Sequence, residues 1–190
     1  PFQDPEAYYE LYDRSLPGES YDYPESAYGV MSWWDYGHWI TQIAHRIPNT
    51  NPHQEGAEDA ALFFTAQDEA SASEILNNLG SRYVIIDYDM AMTTRKFYTM
   101  MIWAGASESQ FFEIYYQRTA SGKLEPRMIF YPEYYRSMCC RLYNLGGQAV
   151  IPNNSTQVIS YTEWTDGRGN HYKEITGLST FATYEEAEEY

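Results

Sequence analysis

Glycine and proline cut this chain into short pieces, and that punctuation limits what it can fold into more than any other feature. Pro48 stops a helix, because it has no backbone donor and its ring disfavours helical geometry at Ile47. Gly80, Gly105 and the pair Gly146-Gly147 are helix stops, and Pro132 suits the first turn of a helix. Between these breaks the residue pattern predicts helices over Tyr36 to His45, Ala57 to Ala66, Asp68 to Leu79, Asp89 to Ala104 and Pro132 to Leu145. In the first, Trp39, Ile40 and Ile43 share a face, and Asp89 is placed to cap the fourth. Tyr28 to Met31 reads as a short strand or turn, and strands are expected at the β-branched run Arg82 to Asp87, read as buried, at Phe111 to Gln117 and at Met128 to Tyr131. Val158 to Thr165 and His171 to Ile175 flank Asp166-Gly167-Arg168-Gly169-Asn170 as a hairpin, and Asn49 to Gly56 reads as a loop. The tail Tyr184 to Tyr190 is a short acidic helix or disordered.

The expected class is therefore α+β: a mixed helical domain with short strands around residues 33–37 and a β-rich C-terminal part. Residues 1–27, rich in Tyr, Pro, Glu and Asp, form an extended lead-in; residues 28–150 form the mixed core domain; residues 151–190 form a hairpin and acidic tail packed on the same domain. With 190 residues the chain is long enough to bury a real core.

Charge narrows the partners. The formal net charge is -15, which repels phosphate backbones and argues against nucleic acid. No apolar run approaches the ~20 residues that span a bilayer, so a membrane part, if one exists, is expected outside this sequence. Cys139 and Cys140 are neighbours in an expected helix, where a mutual disulfide would be strained, and they read as buried small residues. His38, His45, His53 and His171 lack the spacing of a metal site. Asn153-Asn154-Ser155-Thr156 holds two overlapping Asn-X-Ser/Thr sites. The 20 Tyr and 5 Trp, together with many carboxylates, also suit a secreted carbohydrate-binding or glycosidase-like domain.

Two segments carry specific chemistry. In Trp33-Trp34-Asp35-Tyr36-Gly37, at a strand-to-helix turn, two indole N–H donors and one carboxylate match a hydroxyl, which has one proton to give and two lone pairs to fill. An aromatic cluster with Asp35 as helix cap is the bland alternative. In Asp89-x-x-Met92-x-x-x-Lys96-Phe97, a continuous helix would place Asp89, Met92 and Lys96 within about 60° of one another, on one stripe facing one ligand. A Met-lined core face with Asp89 as cap is the competing reading there.

The pentapeptide resembles the WWDYG motif of oligosaccharyltransferase catalytic subunits, archaeal AglB and its bacterial and eukaryotic relatives. The likeness extends over Tyr28-Gly29-Val30-Met31-Ser32, His38-Trp39-Ile40 and Asn51-Pro52-His53-Gln54-Glu55-Gly56-Ala57. The second segment resembles the family's Asp-Lys motif, with Met92 where that motif has Lys. The resemblance implies a C-terminal, extracytoplasmic globular domain of a multi-pass membrane enzyme that moves a glycan from a lipid-linked oligosaccharide to the Asn of an Asn-X-Ser/Thr polypeptide. It implies a divalent metal, Mn or Mg, bound by acidic residues outside this fragment, which alone is expected to be inactive. Residues 33–37 with Asp89, Met92 and Lys96 would bind the acceptor, Met92 touching the methyl group of its Thr.

Overall fold

The computed structural model describes residues 27–149 and 156–190, so the expected lead-in before Ala27 and the Asn153-Asn154-Ser155 stretch lie outside the described residues. The fold is α+β, and the chain divides into two units, one ending at Gly105 and one beginning at Ala106. Strands on both sides of residue 150 share a sheet, Tyr116 lying opposite Glu174.

The first unit is built on three parallel strands, β1 (Gly29–Met31), β2 (Ile47–Pro48) and β3 (Ser81–Val84), in the order β2-β1-β3. All three residues of the central strand β1 are buried, as expected of a parallel strand flanked on both edges. β3 is an edge strand and only half-buried, and the next residue, Ile85, is 42% exposed, which corrects the expectation of a fully buried run. Its β-branched sequence marked it as a strand but could not reveal which edge it takes. Pro48 lies in β2, where an edge position tolerates the missing donor.

A short 3-10 turn at Trp34–Tyr36 leads into α1 (Gly37–Gln42), which ends sooner than His45; His45 itself has a φ of 51°. Of its expected apolar face only Ile40 is buried, in a cluster with Tyr28 and Val30, while Trp39 and Ile43 are exposed. Helices α2 (Ala57–Thr65) and α3 (Glu69–Asn78) fall close to their expected places, α3 capped by Asp68, which accepts from the Ser71 amide at 2.8 Å. The expected fourth helix is two: α4 (Tyr88–Ala91) and α5 (Lys96–Trp103). Met92 between them is extended, with φ −82° and ψ 122°, ahead of the β-branched pair Thr93-Thr94. α2 packs on α5, burying Ala57, Ala60, Ala61 and Phe64 on one and Phe97, Met100 and Met101 on the other, at helical spacing.

The second unit has β4 (Phe112–Arg118), β5 (Leu124–Phe130), β6 (Thr156–Thr165) and β7 (His171–Phe181) in the order β5-β4-β7-β6. Two antiparallel hairpins meet along β4 and β7, which pair in parallel at Tyr116 and Glu174. Side chains reinforce this seam: Arg118 donates two hydrogen bonds to Glu174, both at 2.7 Å, and Lys173 lies 2.6 Å from Glu113. Hydrogen bonding to Lys173 and Arg118 holds Glu113 and Glu174, respectively, below the usual carboxylate range. Where one helix was expected from Pro132, there are two, α6 (Pro132–Arg136) and α7 (Met138–Asn144), because Ser137 leaves helical geometry and caps α7 by accepting from the Cys140 amide. Cys139 and Cys140 are buried in α7, and α8 (Tyr184–Glu189) closes the chain.

Gly56 explains how the loop before α2 closes. Its φ is +70°, and a Cβ there would stand 2.3 Å from the Asn49 carbonyl oxygen. Gly56→Ala should therefore cost about 2 to 4 kcal/mol, combining a left-handed side chain with a backbone clash. Urea unfolding checks this, and a loss below about 0.5 kcal/mol would contradict the geometry.

Candidate functional site

The parallel pairing of β1 with β3 sets the site. Met31 stands opposite Val84, so the residues that follow each strand leave the same edge of the sheet side by side. Carboxyl ends of parallel strands are where such sheets present ligand-binding groups. Ser32 to Tyr36 follow β1, and Ile85 to Asp87 follow β3.

The turn after β1 is braced from below. Thr50, 1% exposed, donates to the Ser32 carbonyl at 3.0 Å. Gly37 fits here because a Cβ would lie 2.6 Å from the Thr50 carbonyl oxygen and 2.8 Å from the Asn51 Cα. The Asn51–Glu55 loop is self-tied, Asn51 donating to Glu55 at 2.6 Å and accepting from the His53 amide at 2.9 Å. Asn49 joins the strands, donating to the Leu79 carbonyl at 3.1 Å and accepting from the Ser81 hydroxyl at 2.8 Å.

On this base Trp33 is buried, its ring 6.2 Å from that of Trp34, while Trp34, Asp35 and Tyr36 are half-buried. Lys96, the first residue of α5, reaches back to them. Its ammonium is 2.7 Å from Asp35 Oδ2, donates to the Tyr36 hydroxyl and lies 3.8 Å from the centre of the Tyr36 ring. The Tyr36 hydroxyl in turn donates to Asp87 Oδ2. Burial, then the bond to Asp87, pushes the Tyr36 hydroxyl up to about 12. Burial draws the Lys96 ammonium down, but its bonds to Asp35 and Tyr36 outweigh this and leave it above the usual lysine value.

Two polar atoms at this turn have no partner. Trp34 Nε1 and Asp35 Oδ1 are both buried and make no hydrogen bond. One is a donor and the other an acceptor, as a single hydroxyl requires. An unmet buried polar group costs roughly 1 to 3 kcal/mol, so two of them in adjacent residues are a feature that packing alone does not explain.

The structure joins Asp35, Tyr36 and Lys96 beside Trp34 in the chain. The stripe expected for Asp89, Met92 and Lys96 does not exist, because the helix breaks at Met92. Asp89 pairs with Arg95. It does not cap α4 either; Asp87 does, accepting from the Met90 amide at 2.9 Å. Met92 is half-buried in the break. Asp87 and Thr50 escaped the sequence reading. The available signal for Asp87 was its place immediately after an apolar run and three residues before an amide it could cap, whereas Asp89 stands two residues too late.

The AglB core domain family matches residues 3–91, which hold the Trp33–Gly37 turn and Asp87 but not Lys96. Over 202 aligned residues the chain is 35% identical to the dolichyl-monophosphooligosaccharide–protein glycotransferase AglB of Haloferax volcanii, covering 96% of this chain and 19% of that protein. It is 42% identical over 107 residues to dolichyl-phosphooligosaccharide–protein glycotransferase 3 of Archaeoglobus fulgidus, covering 52% of this chain and 12% of that one. Among solved structures, the A. fulgidus oligosaccharyltransferase tethered by a disulfide to an acceptor peptide containing the NVT sequon superposes with a TM-score of 0.59 at 28% identity, over 80% of this chain and 20% of that one. The same enzyme with Zn and sulfate gives a TM-score of 0.59 at 28% identity, over 80% and 22%. The chain thus has the fold of an oligosaccharyltransferase segment. It belongs to the AglB family of archaeal glycotransferases and spans about a fifth or less of the length of these relatives.

Asp35 and Lys96 should prove energetically coupled. Their side chains are 33% and 21% exposed, so a double-mutant cycle of Asp35→Ala and Lys96→Ala should give a coupling of about 0.5 to 1 kcal/mol, since partly solvated pairs are screened. Strict additivity in urea unfolding would contradict the pairing.

Proposed function

We propose that this chain is the acceptor-recognition domain of an oligosaccharyltransferase that transfers a glycan from a lipid-linked oligosaccharide to the Asn of Asn-X-Ser/Thr. In this reading it is the C-terminal, extracytoplasmic part of a multi-pass membrane enzyme and does not transfer glycan alone. No helix among the described residues is long and apolar enough to cross a membrane. The observation that carries the reading is the unpartnered pair Trp34 Nε1 and Asp35 Oδ1 on a family motif.

The chemistry explains why a separate recognition domain is useful. A carboxamide nitrogen is a poor nucleophile, because its lone pair is delocalised into the carbonyl, so much of the acceleration must come from holding it in place. The Ser or Thr hydroxyl two residues later gives its proton to Asp35 and accepts from Trp34. An acceptor lacking the hydroxyl leaves both groups desolvated and unmet, a penalty large enough to make the hydroxyl a requirement. Trp33 supports the Trp34 ring from the buried side, and Lys96 balances the charge of Asp35 through its other oxygen. Asp89, paired with Arg95, belongs to the acceptor-binding set in this reading. The divalent metal, Mn or Mg, belongs to acidic residues elsewhere in the enzyme. Among the described residues no group of three or more His, Cys, Asp or Glu could hold one.

In the full-length enzyme, Asp35→Ala and Trp34→Ala should each lower kcat/KM for an Asn-X-Thr peptide by about ten- to a hundredfold, the worth of a buried hydrogen bond to a charged or desolvated group. Melting temperatures measured alongside decide the matter: losses that merely track a lowered Tm would favour a structural aromatic cluster. Met92 supplies a finer test. If its thioether meets the methyl group that Thr has and Ser lacks, that contact is worth about 0.8 kcal/mol, roughly a fourfold preference for Thr. Met92→Ala should narrow the Thr/Ser rate ratio by that factor, and an unchanged ratio would rule the contact out.

A further inference from the structure

We propose that Asp87 is a positioning residue for the acceptor pocket, acting through Tyr36 and Lys96 to hold Asp35 with one oxygen engaged and the other free for the acceptor hydroxyl. The proposal rests on the reading of Trp34 and Asp35 as the acceptor-binding pair. It concerns a residue outside both sequence motifs, on a different strand end from the WWDYG turn.

Proton counting fixes the direction of every bond in the chain. Lys96 carries donors only, so toward Tyr36 it must donate, and the Tyr36 oxygen must accept. The single Tyr36 proton is then committed to Asp87 Oδ2. Asp87 has no other freedom, because its Oδ1 accepts the Met90 amide at 2.9 Å at the start of α4. With both its oxygens fixed, Asp87 orients the Tyr36 hydroxyl, and the lone pair so presented holds one Lys96 N–H. A second Lys96 N–H meets Asp35 Oδ2 at 2.7 Å. Asp35 Oδ1 is left buried and unpartnered. Tyr36, with its hydroxyl pushed up to about 12, stays protonated across the physiological range and so remains a donor to Asp87.

Without Asp87 the hydroxyl of Tyr36 loses its acceptor and can turn its proton elsewhere. Lys96 then has one fixed partner instead of two, and nothing prevents its ammonium from sliding between the two oxygens of Asp35. An ammonium on Oδ1 would compete directly with the acceptor hydroxyl. The expected signature is weaker acceptor binding with little change in the chemical step once the peptide is bound.

The test separates helix capping from positioning. Asp87→Ser keeps a good cap for α4 but is too short to serve the Met90 amide and Tyr36 together. Tyr36→Phe breaks the same link from its other end while leaving the cap intact. In the full-length enzyme each variant should raise KM for an Asn-X-Thr peptide by about tenfold with kcat within about twofold, and the double variant should be no worse than either single one, since both cut one chain. Urea stability of each variant is measured in parallel. Unchanged KM in Asp87→Ser, or effects of the two variants that multiply, would overturn the proposal and leave Asp87 as a helix cap. Asp35→Ala run beside them tells the two failures apart: if it raises KM and Asp87→Ser does not, the pocket stands without Asp87; if it too leaves KM unchanged, the pocket reading falls and the proposal with it.

Discussion

The register of one parallel strand pair governs the candidate site. With Met31 opposite Val84, the turn after β1 and the turn after β3 emerge together. Shifting β3 by one residue would carry Asp87 about 3.3 Å along the edge and turn its side chain to the other face. The register is itself held by side chains: Asn49 ties the approach to β3 through Leu79 and Ser81, and Gly29 leaves room for it, since a Cβ there would stand 2.3 Å from Asn49 Nδ2. Residues far from the pocket in sequence thus determine whether its groups meet.

Electrostatics then divides the labour on Asp35. A half-buried carboxylate without a partner would be costly, and one with both oxygens satisfied would have nothing to offer a ligand. Lys96 resolves this by engaging Oδ2 alone. The pairing depends on α5 beginning at Lys96, and so on the break at Met92. One continuous helix from Asp89 would turn Lys96 with the rest of its stripe and could not deliver the ammonium independently. The irregular stretch Met92–Arg95 is what lets α5 start at a position of its own.

How much of this could be read from sequence depended on whether the deciding interaction was local. α2 and α3 are set by their own apolar spacing and, for α3, by the Asp68 cap, and both were legible. So was the β6–β7 hairpin, whose Asp166 side chain accepts from the Arg168 and Asn170 amides. The breaks at Met92 and Ser137 were hidden, because apolar residues continue at helical spacing through both points. β5 starts at Leu124, earlier than the expected Met128, and takes in Pro126, which an edge strand tolerates. At the turn the sequence suggests two indole donors and one carboxylate, from Trp33, Trp34 and Asp35, and the structure leaves Trp34 Nε1 and Asp35 Oδ1 buried without partners. Asp87 was not legible, since its partner Tyr36 lies 51 residues away and only the strand register brings them together.

The central claim is that Trp34 and Asp35 bind the hydroxyl of the acceptor. The most direct measurement is the indole N–H resonance of Trp34 in the full-length enzyme, assigned by its disappearance in Trp34→Phe and followed as peptides are added. An Asn-X-Thr peptide should shift it downfield, because the donor gains an acceptor. The matched Asn-X-Val peptide, of nearly the same shape but without the hydroxyl, should leave it close to its free position. A Trp34 resonance that Thr peptide does not move, or that Val peptide moves equally, would contradict the account.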